Sequence, residues 1–292
     1  MEFSNADNFN SLCISSGGVK GIVMLGALHY FYISGNLKNL KYFAGTSVGS
    51  IIVFLLSVGY SPLEILTFSC DDEITKPFQN INLLNISNIH GIFHNKIIGN
   101  FIEFKIKQKL GGKSPTFIEY FKDYGKYLVI PVYCLSEPVE KRKVICSPDD
   151  TPDMKIIDSV ILSCNIPIIF EKAVYNDKVY IDGAYTSNFP VKYLEERISY
   201  NENHDDYKIL GITLKSDNNE LENLLDYIIA IQNIPIAEQY EKLSDTSNLK
   251  IINVDCPKEI SIINFKLSTS KKSDLFNYGF EQIKDSGLFR KS

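Results

Sequence analysis

Short apolar runs alternate along the chain with longer segments in which apolar residues recur at helical spacing. The short runs predict strands at residues 11–14, 40–44, 126–136, 141–146, 178–181, 207–215 and 249–254. The longer segments predict helices at residues 19–33, 50–58, 94–110, 154–163, 219–243 and 272–285. Residues 71–92 mix polar and apolar positions without a period, and we interpret them as a long loop. Strands that alternate with helices are typical of an α/β fold with a largely parallel sheet.

The junction between the strand predicted at 40–44 and the next helix has the sequence Gly45-Thr46-Ser47-Val48-Gly49. In a G-x-S-x-G nucleophile elbow, a serine on strained backbone holds its hydroxyl out of the turn, beside the positive end of the helix. Gly45 and Gly49 suit this turn because only small residues let the strand and the helix approach closely. Ser47 is therefore a candidate nucleophile. An ordinary strand-to-helix turn remains the alternative.

A glycine-rich loop, Ser15-Ser16-Gly17-Gly18-Val19-Lys20-Gly21, joins the first predicted strand to the first predicted helix. Such a loop directs unpaired backbone N–H groups at whatever lies above it and favours negative charge there. The spacing fits neither the G-x-x-x-x-G-K-[ST] phosphate loop nor the G-x-G-x-x-G dinucleotide loop. Because Ser47 lies one strand–helix unit downstream, an oxyanion hole is favoured over glycines that only permit tight packing.

A serine nucleophile needs a group that accepts its proton, and Asp182 is a candidate. It follows the strand predicted at 178–181 and precedes Gly183-Ala184. Burial of this carboxyl would raise its pKa and make it a base near neutral pH. Asp-Gly is also a common turn dipeptide, so a purely structural role stays open.

The four histidines are alternative proton acceptors. His29 lies inside an apolar helix, which predicts a buried or boundary position, and His90 and His94 lie in irregular sequence where surface placement is usual. Their spacing lacks the glutamate of the H-E-x-x-H zinc motif. His204 lies in the acidic stretch 201–206, and chain order permits an α/β-hydrolase-type esterase with a Ser47, Asp182 and His204 triad.

Composition narrows the classes of function. The chain has 292 residues, of which 45% are hydrophobic, so it can form a full core. Its formal net charge of −5 does not favour nucleic-acid binding. Six scattered cysteines without C-x-x-C spacing indicate reduced thiols and no zinc site. No signal peptide is evident, and no apolar stretch reaches the ~20 residues of a bilayer span. We therefore expect a cytoplasmic protein without a metal or other cofactor.

Together these motifs resemble those of the patatin-like phospholipases, a family of serine lipid acyl hydrolases. The family has a G-G-G-x-[RK]-G loop, a G-x-S-x-G elbow and a later D-G-[GA], which stand here in the same order at 16–21, 45–49 and 182–184. The Ile166-Pro167 turn and Asn188-Phe189-Pro190 match further. Ser16 departs from the family's first glycine, and it fits only if the backbone there does not need a positive φ. The resemblance covers residues 11–215 and weakens beyond them.

The resemblance implies a three-layer α/β/α fold with a central, mostly parallel sheet. It also implies one domain over residues 1–292, with a motif-bearing core at about 11–215 and a C-terminal elaboration at about 216–292. Gly21, Gly45, Gly49 and Gly183 are then structural positions of the motifs. Lys20 either anchors the glycine-rich loop or favours a negatively charged group bound there, and an ordinary helix-surface lysine is the alternative.

The resemblance also implies a mechanism. Ser47 attacks a fatty-acyl ester of a phospholipid or related lipid, Asp182 accepts the proton, and the amides of Gly17, Gly18 and Val19 bind the oxyanion. This phospholipase A type of reaction needs no calcium, because the backbone supplies the electrophile. A protein that retains the fold and binds lipid without hydrolysing it is a further alternative.

A lipid substrate implies transient contact with a membrane surface. The helix predicted at 94–110 carries apolar residues beside a group of lysines: Phe101, Phe104, Ile106, Lys105, Lys107, Lys109 and, just beyond, Lys113. A basic helix with aromatic residues suits an anionic membrane. The same apolar positions also fit a helix that packs on the core.

Overall fold

The computed structural model describes residues 8–79, 85–201, 207–215, 224–237, 246 and 248–286. The strands are β1 Ser11–Ile14, β2 Tyr42–Gly45, β3 Gly91–Phe93, β4 Tyr127–Cys134, β5 Lys143–Cys146, β6 Ile168–Phe170, β7 Ala173–Tyr175, β8 Lys178–Ile181, β9 Ile209–Leu214 and β10 Leu249–Val254. The α-helices are α1 Gly21–Ile33, α2 Val48–Ser57, α3 Pro62–Ser69, α4 Asp72–Thr75, α5 Asn85–Ile89, α6 Lys96–Lys109, α7 Phe117–Tyr124, α8 Ile156–Ser163, α9 Val191–Asn201, α10 Leu224–Ala237 and α11 Thr269–Asp285.

The central sheet brings the two sequence motifs to one edge. In the described part of the chain its order is β10-β9-β1-β2-β4-β8-β7, with β5 paired to β4. The strands from β10 to β4 are parallel, and β5, β7 and β8 pair antiparallel. Ile14 at the end of β1 lies opposite Gly45 at the end of β2. The glycine-rich loop and the elbow therefore leave the sheet side by side at its carboxyl edge, where sites of open α/β sheets form.

Helices cover both faces of this sheet, as the predicted three-layer fold requires. Successive strand residues point to opposite faces. Leu12 and Phe43 belong to the large core that includes α1, α2, α8 and α11. Cys13 and Tyr42, one position away, pack on the other face against α9, which contributes Leu194. The prediction of an α/β/α architecture with a mostly parallel sheet is confirmed.

A third apolar cluster, which we call the cap cluster, lies apart from these two cores. Its members come from five separate segments of the chain: Phe78, Ile92, Phe93, Ile169, Phe170 and Ile229, with Ile262, Ile263 and Phe265 among the residues packed against them. The rings of Phe78 and Phe265 stack with their centroids 4.6 Å apart. Aromatic packing and the pairing of β3 with β6 therefore hold these distant segments together outside the central sheet.

The interpretation of residues 71–92 as one long loop is wrong. The described part of this segment contains α4, α5 and the start of β3. β3 is short and pairs in parallel with β6, Gly91 lying opposite Ile168. Because this pairing partner is far away in sequence, local periodicity does not reveal the strand.

The sequence explains where α3 begins, and the predicted end of α8 is confirmed. At the start of α3, Ser61 Oγ accepts a hydrogen bond from the Glu64 N–H at 3.2 Å, and Glu64 Oε2 accepts one from the Ser61 N–H at 2.7 Å. α8 ends at Ser163, ahead of Ile166-Pro167. Of the helix predicted at 219–243, the structure describes α10, and residues 219–223 and 238–243 lie outside the described residues. None of the described helices has the length and apolar character needed to cross a bilayer.

Candidate active site

Ser47 stands on the strained backbone that a nucleophile elbow predicts. Its φ of 54° and ψ of −125° place a non-glycine residue in a disfavoured region, directly before the first residue of α2. A Cβ on Gly49 would lie 2.4 Å from the Ile14 carbonyl oxygen, and one on Gly45 would lie 2.5 Å from the Gly49 backbone. Both glycines are therefore needed because β1, β2 and α2 meet at this turn without room for a side chain.

The hydroxyl of Ser47 and the carboxyl of Asp182 are in direct contact. Ser47 Oγ donates a hydrogen bond to Asp182 Oδ2 at 2.8 Å, across 135 positions of sequence. The fold brings them together because β8 pairs antiparallel with only the last residues of β4, Ile181 lying opposite Tyr133. Asp182 therefore enters at the same carboxyl edge as Ser47. A Cβ on Gly183 would lie 2.0 Å from the Pro131 carbonyl oxygen, so glycine is required beside it.

The surroundings of Asp182 suit a proton acceptor. The residue is 4% exposed, and burial raises the pKa of its carboxyl from 3.8 to about 7, although hydrogen bonds from the Ala184 N–H and from Ser47 oppose this change. Oδ1 accepts the Ala184 N–H at 2.9 Å, which leaves Oδ2 directed at Ser47. A carboxyl with a pKa near 7 holds and releases a proton at neutral pH.

Two residues at and just beyond the end of α8, Ser163 and Asn165, hold these groups in place, and motif reasoning gave them no role. Ser163 Oγ accepts a hydrogen bond from the Ser47 N–H at 3.0 Å. The Asn165 carbonyl accepts one from the Asp182 N–H at 2.9 Å. Asn95 Nδ2 in turn donates to Asn165 Oδ1 at 3.1 Å. The resemblance around the Ile-Pro turn was the available signal, but it did not indicate these hydrogen bonds.

The glycine-rich loop lies next to the elbow. A Cβ on Gly21 would lie 2.7 Å from the Val48 side chain. The amides of Gly17 and Gly18 donate to no group in the described part of the chain, whereas the Val19 N–H donates to the Ile262 carbonyl at 2.9 Å. Two of the three predicted oxyanion donors thus have no acceptor in the described part of the chain, and the third is hydrogen-bonded to the segment between β10 and α11.

The structure also places two further residues of the loop, Lys20 and Ser16. Lys20 is 5% exposed, so the interpretation as a helix-surface lysine is wrong. Ser16 is not among the described residues with positive φ, so a serine fits where the family often has glycine. The Ser16 N–H donates to the Asn188 carbonyl at 3.0 Å, and its hydroxyl donates to Asn188 Oδ1. Ser16 therefore ties the loop to the Asn-Phe-Pro segment.

The described histidines lie away from this pair. His29 packs against the rings of Phe276 and Phe280, and burial lowers its pKa. His94 Nδ1 lies 2.8 Å from Glu171 Oε2 at the surface, and His90 is exposed. None of the three bonds to Ser47 or Asp182 in the described part of the chain. His204, the third member of the alternative triad, lies outside the described residues.

An apolar cavity of about 200 Å³ extends from Ser47. Side chains of α1, α2, α3, α6 and the cap cluster line it, among them Leu25, Leu55, Ile65, Phe101 and Phe265. Two lysines reach the cavity wall, and both are engaged: Lys105 Nζ lies 4.7 Å from the centroid of the Phe68 ring, and the Lys272 ammonium group donates to the Ser69 carbonyl. The cavity therefore offers an almost wholly hydrocarbon surface beside the hydroxyl.

The helix at 94–110, now seen as α6, packs its apolar face on the protein interior. Of the three apolar residues considered for lipid contact, Phe101 is 7% exposed and Ile106 is 1% exposed. Only Phe104 faces solvent. The interpretation of this helix as one that packs on the core is correct, and its apolar face does not form a membrane surface.

The chain belongs to the patatin-like phospholipase family, whose sequence profile matches residues 12–195. Among relatives, it is similar to the probable lipid hydrolase 463L of Invertebrate iridescent virus 6, with 30% identity over 97% of this chain and 92% of that protein. The matched residues include the glycine-rich loop, Ser47 and Asp182.

Two solved structures have a similar fold. The crystal structure of VipD from Legionella pneumophila matches with a TM-score of 0.53 at 15% identity, over 95% of this chain and 66% of that chain. Human GIVD cytosolic phospholipase A2 matches with a TM-score of 0.50 at 10% identity, over 97% of this chain and 58% of that chain. This chain thus spans less than two thirds of either protein. At these identities the likeness shows the fold alone.

Proposed function

We propose that this protein is a calcium-independent lipid acyl hydrolase of the phospholipase A type, with Ser47 as nucleophile and Asp182 as general base. The observation that carries the proposal is the 2.8 Å hydrogen bond from Ser47 Oγ to Asp182 Oδ2 at the mouth of an apolar cavity. Membership of the patatin-like phospholipase family supports lipid acyl hydrolysis. The relative's name, probable lipid hydrolase, agrees with this activity.

In the proposed first step, Ser47 Oγ bonds to the ester carbonyl carbon while its proton passes to Asp182 Oδ2. The carbonyl oxygen becomes an oxyanion, which the amides of Gly17 and Gly18 stabilise. The Val19 amide can join them only when its hydrogen bond to the Ile262 carbonyl is broken. As the ester C–O bond breaks, Asp182 returns the proton to the leaving alcohol, and the acyl group stays on Ser47.

In the second step, water takes the place of the alcohol. Asp182 accepts a proton from this water, whose oxygen bonds to the acyl carbon, and the Ser47–acyl bond breaks with return of the proton to Ser47 Oγ. The apolar cavity beside Ser47 holds the hydrocarbon chain throughout. No step requires calcium because backbone amides stabilise the negative charge that develops on the carbonyl oxygen. We further propose one catalytic domain over the chain, acting in the cytoplasm and transiently at lipid surfaces.

The test is hydrolysis of phospholipid by Ser47→Ala, Asp182→Asn and His204→Ala variants, each checked for an unchanged fold by circular dichroism. We expect the first two substitutions to lower the rate by roughly 10³-fold or more, and the third to leave it near wild type. Full activity of Ser47→Ala refutes the proposal. Loss of activity in His204→Ala as well as in the other two variants supports the triad, and vesicle binding without hydrolysis by the wild type supports a non-catalytic protein.

Chelation tests the calcium-independent mechanism. We expect the wild-type rate of fatty-acid release to be unchanged after dialysis against EDTA, because the proposed oxyanion hole consists of backbone amides of the glycine-rich loop. A rate that falls on chelation and returns with added calcium contradicts this part of the proposal.

A further inference from the structure

The helix α10 exposes a stripe of apolar side chains. Tyr227, Ile231 and Ile234 recur at helical spacing and are 54%, 48% and 57% exposed. Residues 227–237 include no charged side chain. A surface helix normally turns its apolar residues to the core and charged residues to water, so this exposed face is the reverse of the usual pattern.

The opposite side of α10 is attached to the candidate active site. Ile229 is buried in the cap cluster, which borders the cavity through Phe78 and Phe265. Gln232 Nε2 donates a hydrogen bond to the Pro167 carbonyl at 3.1 Å. Pro167 lies two positions from Asn165, whose carbonyl accepts the Asp182 N–H. The helix thus lies close to the dyad, with its apolar stripe turned outward.

We propose that the Tyr227–Ile231–Ile234 stripe docks the protein on the surface of a lipid aggregate with zwitterionic or uncharged headgroups. This inference rests on the proposed function, since a fatty-acyl lipid must be drawn from such an aggregate. An uncharged apolar stripe with a tyrosine inserts at the headgroup–acyl boundary by burying hydrocarbon. A net charge of −5 and the lack of lysine or arginine in 227–237 do not favour anionic lipid.

A second copy of the chain is a less suitable occupant of this face. A stable dimer buries about 800 Å² on each partner, contributed by roughly 20–30 residues. The stripe offers three side chains on a helix roughly 21 Å long. A narrow apolar ridge of this size suits shallow insertion into a fluid surface better than a protein interface.

The experiment is co-sedimentation with phosphatidylcholine vesicles. Binding is measured in a Ser47→Ala background, so that lipid is not consumed and the result does not depend on catalysis. We expect Ile231→Ser together with Ile234→Ser to weaken vesicle partitioning about tenfold or more. We expect the binding of the unsubstituted background to change little with salt or added anionic lipid, because no charge pairing contributes.

The matched control is Ile33→Ser with Leu63→Ser. These side chains are 58% and 50% exposed. Ile33 is the last residue of α1, roughly 20 Å along that helix from the glycine-rich loop, and Leu63 lies in the first turn of α3, beyond the end of α2 that is distant from the elbow. The control should bind vesicles like the background protein. Unfolding temperatures of both double variants, compared with that of the background, show whether either change disturbs the fold.

The docking proposal is overturned by equal weakening in the control, by unchanged binding in the α10 variant, or by a dimer in solution that only the α10 variant dissociates. Binding that grows strongly with anionic lipid and disappears with salt also overturns it. Failure of the proposed function gives a different result, since a protein without hydrolytic activity that still binds through α10 leaves the docking surface intact.

Discussion

Replacing Asp182 by asparagine is expected to stop hydrolysis and to stabilise the fold. Burial raises the pKa of this carboxyl from 3.8 to about 7. The folded state therefore binds the proton more tightly than the unfolded chain. The stability that this proton contributes is fully present below pH 3.8 and is lost as the pH rises to about 7. The difference between the two pKa values corresponds to about 4 kcal/mol of folding free energy at about pH 8.

Asparagine removes this titration and keeps the local contacts. Its side-chain oxygen can accept the Ala184 N–H, which lies 2.9 Å from Oδ1. Its amide group can donate to Ser47 Oγ, which lies 2.8 Å from Oδ2. The variant should therefore be more stable than the wild type by up to about 4 kcal/mol at about pH 8, and this gain should shrink by about 2–3 kcal/mol at about pH 5.

Urea unfolding followed by circular dichroism measures this gain at both pH values. The control is Asp123→Asn, which changes an exposed carboxyl 3.4 Å from Lys113 Nζ and should alter stability by less than about 1 kcal/mol. An asparagine variant that is less stable than the wild type at about pH 8 refutes the reasoning. A gain of equal size at both pH values refutes it too, because the carboxyl would not be the titrating group.

Further predictions concern the base, the elbow and its support. Because Asp182 accepts a proton only when ionised, kcat/KM for a soluble ester should rise with pH and level off above about 7; a rate independent of pH from about 5 to 9 would exclude this base. Gly49→Ala forces a Cβ to within 2.4 Å of the Ile14 carbonyl and should cost about 3 kcal/mol in urea unfolding, while a loss below about 1 kcal/mol contradicts that packing. Ser163→Ala leaves the buried Ser47 N–H without its acceptor and should cost about 1–3 kcal/mol and lower kcat; unchanged stability and kcat argue against this role.

The fold and the elbow could be predicted because local sequence encodes them. The apolar runs of β1 and β2 require burial on both faces, and Gly45 and Gly49 mark a turn that excludes side chains. Asp182 was found by its position at a strand end before glycine. Its contact with Ser47 could only be inferred from the family resemblance, because neither the register of β8 on β4 nor its direction is encoded locally.

The parts that sequence reasoning missed depend on contacts between distant segments. β3 exists because it pairs with β6, and Phe78 is buried because it stacks on Phe265. The carbonyl that accepts the hydrogen bond of the Val19 N–H belongs to Ile262, beyond the region of family resemblance. The sequence left open whether α6 faces a membrane or packs on the core for the same reason, since helical periodicity shows an apolar face without showing whether another segment covers it.

The most direct test of the central claim is peptide mass mapping after reaction with an alkyl fluorophosphonate, which phosphonylates an activated serine. The account predicts one adduct, on the peptide that contains Ser47, with none in Ser47→Ala and much slower labelling in Asp182→Asn. An adduct on another residue, or equal labelling of Ser47→Ala and the wild type, would contradict the Ser47–Asp182 dyad.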